Sequence, residues 1–239
     1  MLDLEVSDLE DDVALWRYMD LAKLVSLLQQ ESLWLARADT FRDQQEGRFP
    51  DEMQRWIEKA YEKFPEDDDS PVKDAVDFQD FLVKNTFISC WHRNFDENMV
   101  MWEIYGRDTN AVAIKTTVET LRDRIKSDEL AGHSLLMKPV LYQDPSKEKG
   151  VLLYEDCFFR KRPHFEYEQE VRISLATYDR RSPSKATPYG YSIPVHLITL
   201  VESIYVHPDS TDWYVDAVSA LCGKFSLPVK VERGKAGNA

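Results

Sequence analysis

Glycine is scarce in this chain, eight residues in 239, and neither a G-x-x-x-x-G-K-[ST] nor a G-x-S-x-G string occurs. The commonest nucleoside-triphosphatase and serine-hydrolase signatures are therefore absent, because both need glycine where backbone approaches a phosphate or turns sharply. Cysteine is scarcer still. Cys90, Cys157 and Cys222 stand far apart with no C-x-x-C spacing, so neither a disulfide framework nor a thiolate zinc site is suggested, and buried free thiols are expected. The five histidines, His92, His133, His164, His196 and His207, lack H-x-x-x-H and H-E-x-x-H spacing, which argues against a zinc hydrolase and for a protein with no metal. No uncharged apolar run approaches the roughly 18 residues a membrane span needs, and the first residues are acidic where a targeting peptide would be basic. A cytoplasmic protein with no membrane contact is expected. Positive charge is also in deficit: 30 Lys and Arg against 43 Asp and Glu, net −13, which disfavours a general electrostatic hold on nucleic acid or an anionic membrane.

What is abundant is aromatic and apolar: six Trp, eleven Tyr and eleven Phe, with 43% hydrophobic residues, enough for one sizeable core and against disorder. The acidity is local. Residues 1–12 hold six acids and no base, and residues 51–80 hold eleven acids against four bases; the rest of the chain is balanced. This divides the chain into an acidic leader (1–12), one α+β domain (13–232) carrying an acidic helical insertion at about 51–80, with Pro65 and Pro71 as breakers, and a loose tail (233–239). Strands are expected at Val13–Tyr18, Leu33–Ala36, Thr86–His92, Val112–Thr116, Pro139–Tyr142, Glu170–Ala176, Tyr191–Val195, Val201–Val206 and Val229–Glu232. Helices are expected at Leu21–Gln30 behind an Asp20 cap, Met53–Phe64, Val76–Val83, Met99–Tyr105, Val118–Leu130 and Ser210–Phe225. Leu152–Phe159 fits either state. Without a regular βαβ rhythm this pattern favours α+β over a doubly wound sheet.

Four clusters carry polar or aromatic residues that a plain core strand would not need. In the first, Trp16 and Tyr18 flank Arg17 on a strand, so Arg17 faces away from both, as a surface charge or as a two-pronged anion clamp. Asp43 and Glu46, before Gly47, fit a capped turn or a metal or substrate contact. The second is Ser89-Cys90-Trp91-His92. In the third, Met99, Trp102 and Tyr105 share a helix face, which reads as core or as a ligand platform. The fourth holds Glu168 and Glu170, two apart at a strand start and so on one face, with Arg172 two further on. That is a solvated E-x-E-x-R face or a carboxylate pair whose proximity raises one pKa. Arg160, Lys161, Arg162 and His164 form the strongest basic patch, a phosphate holder or a solvated cluster.

Taken in order, W-R-Y-M from Trp16, L-W-L-A-R and T-F-R-D-Q-Q-E-G between Leu33 and Gly47, F-I-S-C-W-H from Phe87, M-W-E-I-Y-G from Met101, A-V-A-I from Ala111 and F-E-Y-E-Q-E-V-R-I from Phe165 resemble the bacterial and phage domain-of-unknown-function family 2971. That family name implies no activity. Arg17, Ser89 and the Glu168-Gln169-Glu170 triplet also fall in the order of the three motifs of the ADP-ribosyltransferase fold, although many members read Ser-Thr-Ser where this chain has Ser89-Cys90-Trp91. The resemblance implies a single, mixed, mostly antiparallel split sheet with peripheral helices. It implies NAD as substrate and transfer of ADP-ribose to a protein or nucleic-acid acceptor, with a role in phage conflict or a toxin system. Glu170 would stabilise the sugar cation and Glu168 would serve the acceptor. Arg17, with Tyr18, would hold NAD, Ser89 would orient the ribose, and Trp91 or Tyr105 would stack on nicotinamide. A non-catalytic nucleotide- or protein-binding sensor using the same cleft is the alternative. A hydrolase or nuclease with a divalent ion among Asp43, Glu46, Glu168 and Glu170 is a third reading.

Overall fold

Residues 4–43, 45–63, 72–106, 108–126, 130, 133–144, 147, 152–178 and 189–235 are described by the computed structural model. A short strand, β1 (Glu5–Val6), precedes β2 (Ala14–Asp20), whose last residue caps α1 (Leu21–Gln30). The Asp20 carboxylate accepts from the Lys23 amide at 2.9 Å, satisfying a donor that the first helical turn leaves open. Leu24, Leu27 and Leu28, three and four apart, form the buried face of α1. Glu31, at φ 46°, ends it and turns the chain directly into β3 (Ser32–Arg37). Next come α2 (Asp51–Lys63) and α3 (Ala75–Lys84), the latter capped by Asp74; Pro65, the run from Glu66 to Ser70, and Pro71 lie outside the described residues. β4 (Thr86–Arg93) leads to α4 (Met99–Met101), which widens into a π-helical turn over Trp102–Gly106. β5 (Ala111–Thr117), α5 (Val118–Arg124), β6 (Ser134–Pro139) and β7 (Leu141–Tyr142) follow. Two 3-10 turns, Tyr154–Phe159 and Pro163–Glu168, bracket β8 (Arg160–Lys161). The chain finishes with β9 (Glu170–Ala176), β10 (Gly190–Pro194), α6 (Leu197–Leu200), β11 (Ser203–Val206), α7 (Asp212–Lys224) and β12 (Val231–Arg233).

Ten of these strands form one mixed, mostly antiparallel sheet in the order β1-β6-β9-β4-β2-β5-β11-β12, with β3 and β10 branching from β4. The branch point positions the site. One edge of β4 pairs with β9 from Thr86 to His92. On the other edge β3 pairs at Phe87 and Ile88, and β2 pairs at His92 and Arg93. Ser89, Cys90 and Trp91 lie between, and there the sheet splits. Alternation assigns the two faces. Leu15, Phe87, Trp91, Ile114, Val171, Ile173 and Ile204 meet Leu24, Leu27, Val118, Leu121, Leu200 and Val218 in the main core. The opposite face carries two smaller clusters: Trp16, Tyr18 and Ala113 with Met101 and Trp102, and Ile88 with Met53, Leu82 and Phe158.

Several elements depart from expectation for identifiable reasons. The segment read as a leader supplies β1, parallel to β6, and buries Leu4 in the core. The helix from Val118 stops at Arg124 rather than Leu130 because Ile125 takes extended backbone and bridges Val195. The strand expected at Pro139–Tyr142 is two strands, and β6 begins at Ser134. Leu197–Leu200 is a helical turn, so β11 starts at Ser203. In the tail, Arg233 belongs to β12 and the Gly234 amide bonds the Val206 carbonyl; residues 236–239 lie outside the described residues. No helix among the described residues is long and apolar enough to cross a membrane.

Candidate active site

The split opens into a cleft of about 610 Å³, within the roughly 300–1,000 Å³ common for small-molecule sites. Aromatic rings are prominent in its walls: Trp16 and Tyr18 from β2, Trp34 from β3, Trp91 from β4, and Tyr105 from the π turn. Arg17 spans the opening from β2, its Nη2 donating to the Trp34 carbonyl at 2.9 Å and its Cζ 5.7 Å from the centre of the Trp91 ring. Among the described residues no carboxylate forms an ion pair with Arg17. Burial pulls its pKa down to about 10, the mark of a cation short of compensation. Tyr18 is fixed by accepting from the Asn98 amide at 2.8 Å and by edge contact with Trp102, ring centres 4.9 Å apart.

Glu170 lines the same cleft and leads into a buried charge cluster. Its Oε1 accepts from Lys161 Nζ at 2.8 Å and its Oε2 from Arg172 Nε at 2.5 Å. Glu168 Oε2 takes the same lysine at 2.5 Å. Glu46 joins from the turn after β3, 3.3 Å from Lys161 and 2.5 Å from Arg172 Nη2. Arg172 is 1% exposed, and its Nη1 donates to the Phe158 carbonyl at 2.8 Å. Burial alone would raise Glu170, but the charge of Arg172, hydrogen bonding from Glu168, and Lys161 together hold it well below the usual carboxylate range. Glu168 goes the other way. Burial, then the neighbouring Glu170, push it up to about 7 against the pull of Lys161, because that one lysine serves three carboxylates.

The backbone explains why the two glutamates meet without sharing a strand. Glu168 closes a 3-10 turn, Gln169 takes left-handed backbone at φ 41°, and β9 starts at Glu170. The pair is not a solvated strand face: Glu168 is 3% exposed, and Arg172 is the expected partner but in the interior. The Glu170 amide donates to the Tyr142 hydroxyl at 2.7 Å, and His92 Nδ1 lies 2.7 Å from the Glu168 carbonyl. Since a carbonyl only accepts, His92 donates there as the Nδ1–H tautomer. Burial lowers its pKa.

Arg17, Tyr18, Trp91, Tyr105 and Glu170 thus line one cleft, with Glu168 directly behind Glu170. Ser89 does not join them. It is 1% exposed, points to the face opposite Cys90, and its hydroxyl has no hydrogen-bond partner among the described residues. Tyr105 also departs from the expected shared core face with Trp102: it is 37% exposed, because the wide i→i+5 turn rotates it out of the stripe. The four acids of the metal reading are engaged by cations of the chain, Asp43 by Arg162 at 3.0 Å and the others by Lys161 and Arg172. No group of three His, Cys, Asp or Glu among the described residues is arranged to hold a metal ion. What the sequence did not show is that Lys161 and Glu46 pair with Glu170 and Arg172. Lys161 reads as a phosphate holder or a solvated cation and Glu46 as a turn residue or a metal or substrate contact, and it is their burial beside Glu170 that makes them an internal ion-pair cluster instead.

No protein-family model matches the chain, so the resemblance to family 2971 rests on the residues quoted above, and no curated protein matches it. Among solved structures it is similar to Thermus sp. 2.9 DarT in complex with NAD+, at 11% identity and TM-score 0.42, over 95% of this chain and 97% of that one. The same protein in complex with ADP-ribosylated ssDNA gives 10% identity and TM-score 0.43 over 98% of each chain. With carba-NAD+ it gives 9% identity and TM-score 0.43 over 96% and 98%.

Proposed function

We propose that the cleft takes NAD and that the chain is an ADP-ribosyltransferase-like enzyme, breaking the nicotinamide glycosidic bond and passing ADP-ribose to a protein or nucleic-acid acceptor. The observation that carries this reading is the opposition, in one aromatic cleft, of an arginine with no carboxylate partner among the described residues and a carboxylate held ionised. Arg17 calls for an anionic ligand group, which a pyrophosphate supplies in two-pronged form. Glu170 stabilises the oxocarbenium-like sugar that forms as nicotinamide leaves. Glu168, near 7, is matched to taking a proton from the acceptor at neutral pH. Tyr105, 37% exposed, offers a ring for stacking, while Trp91 and Tyr18 border the cleft with their rings packed in the interior. Ser89 has no part in this arrangement.

The test is nicotinamide release from NAD, read by chromatography, with and without cell lysate as acceptor source. Glu170→Gln is expected to reduce release about 100-fold to 10,000-fold under both conditions, whereas Glu168→Gln keeps slow hydrolysis by water and loses transfer to acceptor. One observation favours a second reading, a sensor that binds a nucleotide in the same cleft without cleaving it: both Glu170 oxygens are already engaged by cations. NAD binding by calorimetry, with no release under any condition, would establish that reading and overturn the enzyme.

A further inference from the structure

Glu46, Arg172, Glu170 and Lys161 close a ring of alternating charge. Arg172 reaches Glu46 through Nη2 and Glu170 through Nε, both at 2.5 Å; Lys161 reaches the remaining oxygens of Glu170 and Glu46 at 2.8 and 3.3 Å. Two carboxylates and two cations sum to zero, and all four side chains are less than one-tenth exposed. Lysine has three hydrogens to donate. Lys161 donates one to Glu170 in the ring and one to Glu168, which hangs outside it at 2.5 Å, and meets Glu46 as an ion pair at 3.3 Å. Ionised Glu168 is a fifth charge that nothing in the cluster balances, and an unbalanced buried charge is relieved by taking up a proton.

We propose that Glu46 is a positioning residue of this site: by closing the ring it commits Lys161 and Arg172 to Glu170, and leaves Glu168, outside the ring, as the carboxyl that takes up the cluster's exchangeable proton. The assignment of that proton to an acceptor rests on the proposed function; the charge count does not. Other groups around Glu168 do not take its place. Tyr105 from the π turn, Tyr142 from β7 and Tyr167 from its own turn are all pushed up by burial and by Glu168 and Glu170. His92 from β4 is pushed down by burial. Arg48, Arg160, Arg162 and Asp43 line a small cavity of about 30 Å³ together with Glu46 and Lys161, and Asp43 pairs there with Arg162 at 3.0 Å.

Replacing Glu46 by Gln keeps the side chain's shape and leaves the ring with net charge +1, which ionised Glu168 then balances. Carboxyl-¹³C NMR of glutamate-labelled protein between pH 4 and 9 reads this directly, with Glu168→Gln assigning the signal. In wild type, the Glu168 signal is expected to titrate near 7; in Glu46→Gln its midpoint drops by about 1–3 pH units, as a gained opposite charge produces. If NAD is cleaved, the acid limb of kcat moves down with it and KM does not. Should Glu46→Gln fail to fold, Glu46→Asp, which shortens the reach to both cations, moves the midpoint in the same direction. An unchanged midpoint in a folded variant, or a wild-type Glu168 that titrates near 4, overturns the inference. A protein that shows the titration and the shift but never cleaves NAD overturns only the proposed enzyme.

Discussion

Arg172→Met is the sharpest stability test of the charge cluster. It keeps an unbranched side chain in the interior and removes the cation, so Glu170 and Glu46 lose their 2.5 Å partners and the Phe158 carbonyl loses its donor. Removing one partner of a buried ion pair costs about 3–5 kcal/mol, because the other charge stays buried and uncompensated. The lost donor adds about 1 kcal/mol. A loss of about 4 to 6 kcal/mol at pH 8 is therefore expected, a large share of the roughly 5–15 kcal/mol that holds a domain together. The sign of its pH dependence follows from Glu170. In wild type its folded pKa is depressed, so its contribution is fully present above the unfolded value, near 4.3, and is lost only as pH falls from there through the folded value. Without Arg172, burial dominates and raises the folded pKa, so the penalty falls on the ionised form and fades once acid protonates it. Urea unfolding of both proteins at pH 8 and pH 4 measures this. The gap should narrow on acidification. A loss under about 1 kcal/mol at pH 8, or a gap that widens toward pH 4, would refute the claim that Arg172 holds Glu170 ionised.

Trp102→Ala is expected to cost roughly 3–5 kcal/mol, since Trp102 is fully buried, packs edge-on to Tyr18 and His207, and bonds Glu97 through its indole nitrogen at 3.0 Å; a wild-type melting temperature would remove it from the core. Arg17→Lys keeps the charge but cannot make a two-pronged contact, so calorimetric titration with NAD should show about tenfold or greater weakening, and equal affinities would take Arg17 out of the site.

Local signals in the sequence were reliable wherever one element settles its own shape. The Asp20 cap, the Leu24-Leu27-Leu28 stripe and the β-branched and aromatic run from Thr86 placed α1 and β4 almost to the residue, because caps and periodicity act within a few residues. Failures came where a tertiary partner decides. Ser134–Pro139 becomes a strand because β9 and β1 sandwich it in the sheet, and Ile125 is pulled from its helix by Val195. The site divides in the same way. Arg17 and Glu170 were visible as types at plausible positions. The pairing of Lys161 and Glu46 with each other was not, because a lysine in R-K-R and a glutamate before glycine give no sign of each other until the turn after β3 brings Glu46 against Arg172 of β9.

The split sheet gives the cleft its polarity. Because β4 shares one edge between β2 and β3, the chain must bridge the gap with a side chain, and Arg17 does so by donating to the Trp34 carbonyl. A carbonyl satisfies one donor without neutralising the charge, so the bridging arginine stays available to an anion. On the β9 side Glu170 already has its cations, which keeps it ionised in a buried wall without drawing the ligand's anionic group toward it. A ligand with an anion at one end and a centre that turns cationic during reaction at the other gains from both walls, and its gain from Glu170 grows as that positive charge develops. On the proposed reading, the discrimination between ligands would come from the order of charges along the cleft, Arg17 at the gap between β2 and β3 and Glu170 on the β9 side, an order set by the branch at β4.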